Sequence, residues 1–184
     1  MIYNDGSDEI HDALANLAIT TLATSGAVTL GAQATTGITV GGIPFYYGDT
    51  GSIYTHDVSG TDSTAQYNTA YGLTAMDAIT TGDDNVAIGF NAGGTMTTGL
   101  ENVIIGSDAV GTGVMTAGQG VFIGNDAGLN KTSGSSCIFI GYQAGEQVTT
   151  GGSNIFIGRN AGDDHDTENN NLGIGQDALG GSIA

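Results

Sequence analysis

A short motif returns at an almost constant spacing along the last two-thirds of this 184-residue chain. One copy reads Asn85-Val-Ala-Ile-Gly89-Phe-Asn-Ala92, and its glycine recurs after 17 residues in every interval but one, which has 18. The aligned glycines are Gly72, Gly89, Gly106, Gly124, Gly141, Gly158 and Gly175. Seventeen residues are too few for a helix–turn–helix repeat, but they fit one β-solenoid coil of two short strands and two turns. The sequence therefore predicts an all-β solenoid of about seven coils over residues 61–184.

The Val-x-Ile part of each motif predicts the first strand of its coil, because its apolar residues alternate. β-Branched residues occupy one face of this strand, as in Val86 and Ile88 or Ile138 and Ile140. We expect these columns to stack in the interior, since β-branched side chains pack well on pleated surfaces. A Thr-rich segment before the next motif, such as residues 97–99, predicts the second strand.

The middle residue of the first strand lies on the opposite face and forms a second column. In chain order this column reads Ala70, Ala87, Ile104, Phe122, Phe139, Phe156 and Gly173. Three successive phenylalanines facing water would make an apolar ladder of a size that soluble monomers rarely expose. Strands that are apolar on both faces are usually buried on both. We therefore expect a homo-oligomer with Ile104, Phe122, Phe139 and Phe156 at the subunit interface. The alternative is that a flanking turn covers them within one chain.

Smaller residues predict the corners of the coil. The motif glycine indicates a tight corner with positive φ, and the alanine that ends the motif indicates a corner too narrow for a larger side chain. The asparagine that opens most copies predicts an internal amide ladder along the stack. Cys137 stands at one of these asparagine positions and is the only cysteine, which excludes an intramolecular disulfide and favours a packed side chain. Seven coils at about 4.8 Å each predict a rod roughly 35 Å long.

Residues 1–20 predict an attachment segment. Ser7 is a candidate N-cap for a helix over residues 7–17, in which Ile10, Leu14 and Leu17 form one apolar stripe. A helix this short is not stable alone, so we expect it to dock on its own oligomer or on a larger assembly.

Residues 21–60 predict a β-rich neck, because Thr, Val and Leu alternate there with glycine turns. Its aromatic cluster of Phe45, Tyr46, Tyr47 and Tyr54 is interpreted as a hydrophobic cap on the first coil. Carbohydrate binding by stacking is the alternative. Residues 61–184 are then the β-solenoid repeat domain.

The formal net charge of −17, with Lys131 and Arg159 as the only basic residues, restricts the partners of this chain. Nucleic acids and anionic membranes are excluded, because both require clustered basic residues. The sequence has no stretch apolar and long enough for a transmembrane helix and no signal-peptide pattern at its start. An acidic surface suits a soluble particle exposed to salt.

The residues that carry most enzyme chemistry are few and scattered. His11, His56 and His165 fall in three different regions, and neither a metal-binding His or Cys spacing nor a phosphate-binding glycine loop is present. We therefore expect no catalytic residues and no cofactor. One acidic segment supports an alternative hypothesis of Ca²⁺ binding through Asp163, Asp164, Asp166 and Glu168. An exposed acidic loop is the simpler interpretation.

The repeated Asn-x-Ala-Ile-Gly-x-x-Ala pattern resembles the head repeats of trimeric autotransporter adhesins, which form a left-handed parallel β-roll in a trimer. It is still more similar to the longer-period repeats of bacteriophage tail-fibre and appendage proteins, as is the segment over residues 21–31. The resemblance covers residues 61–184 and implies a left-handed, trimeric β-roll. The sequence shows none of three features of the bacterial adhesins, namely a signal peptide, a heptad stalk and membrane-anchor strands. This favours the phage interpretation.

The function expected from these patterns is a non-enzymatic virion appendage, such as a tail fibre used for host attachment. Its partners would be two further copies, a larger virion assembly reached through the N-terminal region, and a host surface receptor. The alternatives are a capsid decoration protein and the head of a bacterial surface adhesin. Two remote alternatives are ice binding through the threonine columns and a depolymerase tailspike, for which the coil offers little room.

Overall fold

The computed structural model describes residues 38–40, 43–47, 52–55 and 64–180. Within these ranges the chain is all-β, with ten strands in one continuous order. They are β1 (Ile38–Val40), β2 (Ile43–Tyr47), β3 (Ile53–Tyr54), β4 (Thr69–Tyr71), β5 (Val86–Ile88), β6 (Val103–Ile105), β7 (Val121–Ile123), β8 (Ile138–Ile140), β9 (Ile155–Ile157) and β10 (Leu172–Ile174). The predicted helix over residues 7–17 lies outside the described residues.

The strands from β3 onward form a parallel β-solenoid of about seven turns, as the repeat predicts. The prediction of a second strand in each Thr-rich segment is wrong, because these segments contain no strand in the described part of the chain. Each strand pairs in parallel with the next, so that residues one period apart lie side by side, as Val86 does with Val103. The two preceding pairings, of β1 with β2 and of β2 with β3, are antiparallel. Tyr54 pairs with Ala70 and is fully buried, so the interior column begins before the first complete motif.

Hydrogen bonds join successive coils at their turns as well as along their strands. At the glycine corner, the N–H of Gly106 donates to the carbonyl of Ile88 at 2.8 Å. In the following turn, the N–H of Gly145 donates to the carbonyl of Ala161 at 2.8 Å. On the Thr-rich side, the N–H of Thr132 donates to the carbonyl of Thr149 at 2.9 Å. Each coil is therefore fixed to the next around its perimeter, which holds the register at one repeat.

The interior of the solenoid is lined by the middle residue of each strand and not by the β-branched columns. Ile104, Phe139 and Phe156 have 0 % of their surface exposed, and Phe122 has 1 %. The Phe122 and Phe139 rings meet edge to face at 5.5 Å between centroids, and the Phe139 and Phe156 rings stack at 5.2 Å. The prediction that these four residues lie at a subunit interface is therefore wrong, because they form the core of their own chain.

The expectation that the β-branched columns fill the interior is wrong for the same reason. Val103, Ile123 and Ile140 are only half-buried, and Ile88 is 40 % exposed. The buried asparagines explain this orientation. Asn102 lies two residues before Ile104, and residues two apart in a strand share a face. The asparagine ladder and the middle column therefore point inward together, while the residues between them point outward.

In five of the seven coils, a large side chain in one interior column faces a small one in a second column; Ala87 with Gly93 and Ile104 with Val110 are the exceptions. The second column lies six residues after the first. The pairs are Ala70 with Met76, Phe122 with Gly128, Phe139 with Gly145, Phe156 with Gly162, and Gly173 with Leu179. A Cβ on Gly145 would lie 2.7 Å from the Phe139 ring, and one on Gly162 would lie 2.4 Å from the Phe156 ring. Glycine thus makes room for each phenylalanine, as close packing requires.

The motif glycine adopts a backbone conformation that only glycine tolerates. Gly141 has φ +138°, and a Cβ built on it would lie 2.4 Å from the carbonyl oxygen of Gly158 in the next coil. The predicted corner with positive φ is confirmed. Because the same contact repeats along the stack, this column sets how closely two coils approach each other.

Replacing the inward phenylalanine tests the orientation of the strand. We expect Phe139→Ala to lower the free energy of unfolding by about 3–5 kcal/mol, because it opens a cavity in the core. Adding Gly145→Met should recover part of that loss, since Met76 occupies the same position beside Ala70 with φ +56°. Chemical denaturation of the three proteins measures both effects.

The matched control is Ile140→Ala, which truncates the neighbouring outward side chain. We expect it to cost about 1 kcal/mol in an isolated chain, because Ile140 is already part-exposed. On the monomeric chain, a loss for Ile140→Ala equal to that for Phe139→Ala would contradict the inward placement of the phenylalanines.

Two alanine substitutions in the glycine column separate backbone strain from steric overlap. Gly175 has φ +122° but no atom within 4 Å of the position that a Cβ would take, whereas Gly141 faces the Gly158 carbonyl. We expect Gly175→Ala to cost about 1–3 kcal/mol from strain alone, and Gly141→Ala to cost clearly more. Thermal melts measure the difference, and equal shifts would contradict the close approach of coils at this corner.

Candidate functional site

The outward face of the sheet presents two columns of apolar side chains, one on each side of the buried middle column. They are Thr69, Val86, Val103, Val121, Ile138, Ile155 and Leu172, and Tyr71, Ile88, Ile105, Ile123, Ile140, Ile157 and Ile174. Exposure is 49 % at Tyr71, 62 % at Leu172 and 65 % at Ile174, and the columns between the two ends are mostly half-buried. Neither column contains a charged residue. We call these fourteen positions the outward sheet face.

The predicted amide ladder is present inside the solenoid. Asn85 donates its Nδ2 hydrogens to Oδ1 of Asn68 at 3.1 Å and to the carbonyl of Gly99 at 2.8 Å, and its backbone N–H also donates to Asn68 Oδ1 at 2.9 Å. Asn102 repeats the same contacts one coil later, and Asn171 repeats the contact to Asn154. Buried amides that bond each other and the backbone satisfy their own polar groups and tie coil to coil.

A buried lysine takes over where this ladder is interrupted. At Cys137 the chain has a thiol in place of the amide, and its Sγ lies 3.4 Å from the carbonyl oxygen of Gly151. Lys131 is fully buried and donates from Nζ to the carbonyls of Gly151 at 2.6 Å, Thr149 at 3.4 Å and Ser133. Burial lowers the pKa of Lys131. The lysine therefore supplies a donor to a carbonyl that an asparagine would otherwise serve.

Sequence reasoning missed this role, although the repeat contained a signal for it. Lys131 lies seven residues after its motif glycine, where other coils carry Ile79, Met96 and Val148, all buried. Six residues separate Lys131 from Cys137, as six separate Met96 from Asn102. The signal is a charged residue, Lys131, at a position that is apolar in other coils, six residues before Cys137, where other coils have asparagine.

Carboxylates of successive coils influence one another at the turn that follows the glycine corner, where Asp108 and Asp126 lie two residues after their motif glycines and Glu146 and Asp163 lie five residues after theirs. Partial burial and then the neighbouring charge of Asp108 raise the pKa of Asp126. Burial, then Asp126, then Asp163 raise the pKa of Glu146. We call these four residues the acidic column. Like charges on successive coils repel each other, so the acidic column costs stability when it is fully ionised.

The acidic loop predicted as a Ca²⁺ site does not bring its carboxylates together. Glu168 folds back and accepts hydrogen bonds from the backbone N–H groups of Asp166 and Thr167 at 2.9 and 3.0 Å. Asp166 accepts from the Thr149 hydroxyl of the preceding coil, and Asp164 is exposed. Asp163 instead lies in the acidic column. Across the residues that the structure describes, no group of three or more His, Cys, Asp or Glu side chains is placed to hold a metal ion.

The remaining candidate residues fall in separate places. His165 is 7 % exposed, and its ring packs edge to face on Phe156 at 5.2 Å between centroids. His11 and His56 lie outside the described residues, as do Ile10, Leu14 and Leu17. The side chains of Phe45, Tyr46 and Tyr47 are not described either.

The threonine columns are engaged in holding the stack. The hydroxyl of Thr80 donates to the carbonyl of Thr97 at 3.0 Å, and that of Thr132 donates to the carbonyl of Thr149 at 3.1 Å. The adjacent rank is exposed at Thr98 but is broken by the buried Ala117. Ice binding requires a flat, regular array of free hydroxyls. The Thr-rich side therefore does not present such an array.

No family model matches the chain, and no curated protein and no solved structure matches it. The residues covered by the structure include no helix of the length and apolar character needed to cross a membrane.

The lysine–cysteine pair makes a quantitative prediction. Lys131→Met should lower the free energy of unfolding by about 1–3 kcal/mol, because the Gly151 carbonyl would keep only a weak thiol donor. Cys137→Asn alone should also destabilise, because its amide would compete with Lys131 for the same carbonyl. The double variant recreates the Met96–Asn102 arrangement. Its free energy of unfolding should therefore exceed the value obtained by adding the two single losses by about 0.5–3 kcal/mol.

A denaturation cycle on these variants measures that coupling energy. The control cycle pairs Lys131→Met with Thr98→Ala, an exposed position in a distant coil, and its effects should be additive. An additive Lys131–Cys137 cycle would show that the two side chains do not share the Gly151 carbonyl.

The acidic column predicts a pH dependence of stability. Because the pKa of Glu146 is raised in the folded chain, its ionised form costs stability above that pKa, and the cost disappears as pH falls through it. Glu146→Gln should therefore melt at a higher temperature than the parent near pH 7, with the difference vanishing near pH 4. Thermal melts across this range measure the effect.

The control is Glu101→Gln, which alters an exposed glutamate that accepts a hydrogen bond from Gln119 at 2.9 Å. It should not raise the melting temperature at pH 7. A Glu146→Gln protein no more stable than the parent at pH 7 would contradict repulsion within the acidic column.

Proposed function

We propose that this chain is a non-enzymatic structural and adhesive rod of a virion appendage, such as a tail fibre used in host attachment. In this proposal the solenoid is a left-handed β-roll that works as a trimer. The N-terminal segment, with Ile10, Leu14 and Leu17 on one helix face, anchors it to a larger virion assembly. The exposed sides of the rod meet the host surface.

The observation that carries the proposal is the stack itself. Seven strands in one unbroken parallel register, each coil hydrogen-bonded to the next around its perimeter, make an element about 34 Å long at about 4.8 Å per strand. Its core is built from a few parallel columns of side chains, so the rod is thin and each coil depends only on its neighbours. Such an element projects a surface away from an attachment point.

The placement of polar groups supports a structural role over a catalytic one. The buried polar side chains, among them Asn68, Asn85, Asn102 and Lys131, donate to neighbouring amides or carbonyls and thereby hold the stack together. His165 packs on a phenylalanine ring. In the described part of the chain the polar interior thus serves to join coils.

The net charge supports a particle that is exposed to salt solution. With −17 on 184 residues, charge repulsion keeps separate assemblies apart, and salt at physiological strength screens that repulsion beyond about 8 Å. A capsid decoration protein and a bacterial adhesin head would share this architecture and charge. The proposal differs from them in where the protein is found.

Immunogold electron microscopy with antibodies against the chain tests that location. Virions produced in the source culture should be labelled at an appendage, and purified chain added to host cells should reduce adsorption of those virions. Label over the capsid shell would point to the decoration role. Label on the envelope of cells that release no virions would point to a bacterial adhesin. Either of these two outcomes would contradict the proposal.

A further inference from the structure

The outward sheet face is continuous along the whole stack. Its fourteen side chains come from seven neighbouring strands in register, so that Val121 lies beside Ile138 and Ile138 beside Ile155. The middle column that alternates with them is buried in the chain's own core, and it therefore cannot supply a polar surface between them. The exposed part of this face is therefore apolar.

The electrostatics of this face differ from those of the rest of the chain. Although the chain carries a net charge of −17, no charged residue stands at any of the fourteen positions. The acidic column lies at a different turn of the coil. Two such chains can therefore bring these faces together without placing carboxylates opposite each other, which would cost several kcal/mol.

The area of the face is compatible with a stable interface. A Val or Ile side chain carries roughly 60–120 Å² of apolar surface, from about 1.5–3 kcal/mol at about 25 cal/mol/Å². With about a third of that still open, because most of the fourteen are more than half buried, the side chains leave roughly 300–550 Å² on each chain, or about 600–1,100 Å² for a pair. The upper end of this range reaches the roughly 1,000 Å² in total that a biological interface should bury.

The spacing of the columns identifies the occupant. Side chains on this face repeat once per strand, about 4.8 Å apart, over seven strands, and they alternate in a fixed order across the face. A rigid partner stays in step with such a surface over its whole length only if it has the same repeat. A second copy of this chain has that repeat and the same neutral, apolar face.

We propose that the outward sheet face, centred on Ile105, Ile123 and Ile140, is the surface through which copies of this chain associate. The interface is formed by the β-branched columns, and each chain keeps its phenylalanines for its own core. This inference rests on the proposed function, because it names the face by which the fibre assembles. The position of the face on the chain does not depend on where the fibre is attached.

Sedimentation equilibrium of the full chain in 0.15 M salt tests this assignment. The parent should have a mass of at least two chains of 18.3 kDa. Ile140→Lys should raise the dissociation constant at least tenfold, because it places a charge inside the interface. Ile123→Thr with Ile140→Thr should weaken association while keeping β-branched side chains, so that the fold is preserved; far-ultraviolet circular dichroism checks this. The control Thr98→Lys, the same charge change on the Thr-rich side, should not alter the mass.

Three results would overturn the assignment. They are a parent mass of one chain, an oligomer that Ile140→Lys and the double threonine variant leave intact, and a monomer that uses this face to bind a different virion protein. The outcome is separable from that of the proposed function. If the parent is an oligomer that Ile140→Lys dissociates, the interface is supported even when the antibody labels bacterial envelopes. If the parent is a monomer, the interface is refuted even when the antibody labels virion appendages.

Discussion

The backbone hydrogen bonds between successive coils are the interaction on which the rest of this structure depends. They hold residues one repeat apart side by side on every side of the coil, from the strands to the glycine corner, where Gly141 approaches the carbonyl of Gly158. Each position in the repeat therefore becomes a column, and its chemistry is multiplied along the rod. Asparagine lies on asparagine because the register places the same repeat position of each coil side by side.

The repeat length was sufficient to predict a parallel solenoid of about seven coils with glycine corners and an internal amide ladder. It was not sufficient to predict which face of the strand points inward, because alternation defines two faces and both are apolar here. β-Branched propensity favoured the wrong one. Two signals in the sequence pointed the other way: Asn102 and Ile104 are two residues apart and so share a face, and Gly145 follows Phe139 at the distance where Met76 follows Ala70.

The candidate site was predictable to a smaller extent. Spacing alone does not show that Glu168 turns back on its own backbone, since that depends on the conformation of one loop. Lys131 was hidden for a different reason. A lysine is normally an exposed residue, but this one is buried where Cys137 leaves the Gly151 carbonyl without an amide donor. The inward phenylalanines then change the assembly argument, because they leave the valine and isoleucine columns to face outward.

The most direct test of this account is an isotope-filtered nuclear Overhauser experiment on a mixture of labelled and unlabelled chains. The account predicts contacts between the Phe122 and Phe139 rings and between the Phe139 and Phe156 rings within one chain, at the 5.5 and 5.2 Å centroid distances of the structure. It predicts no contact between the Phe122, Phe139 and Phe156 rings of different chains. Overhauser effects between these rings of a labelled and an unlabelled chain would contradict it.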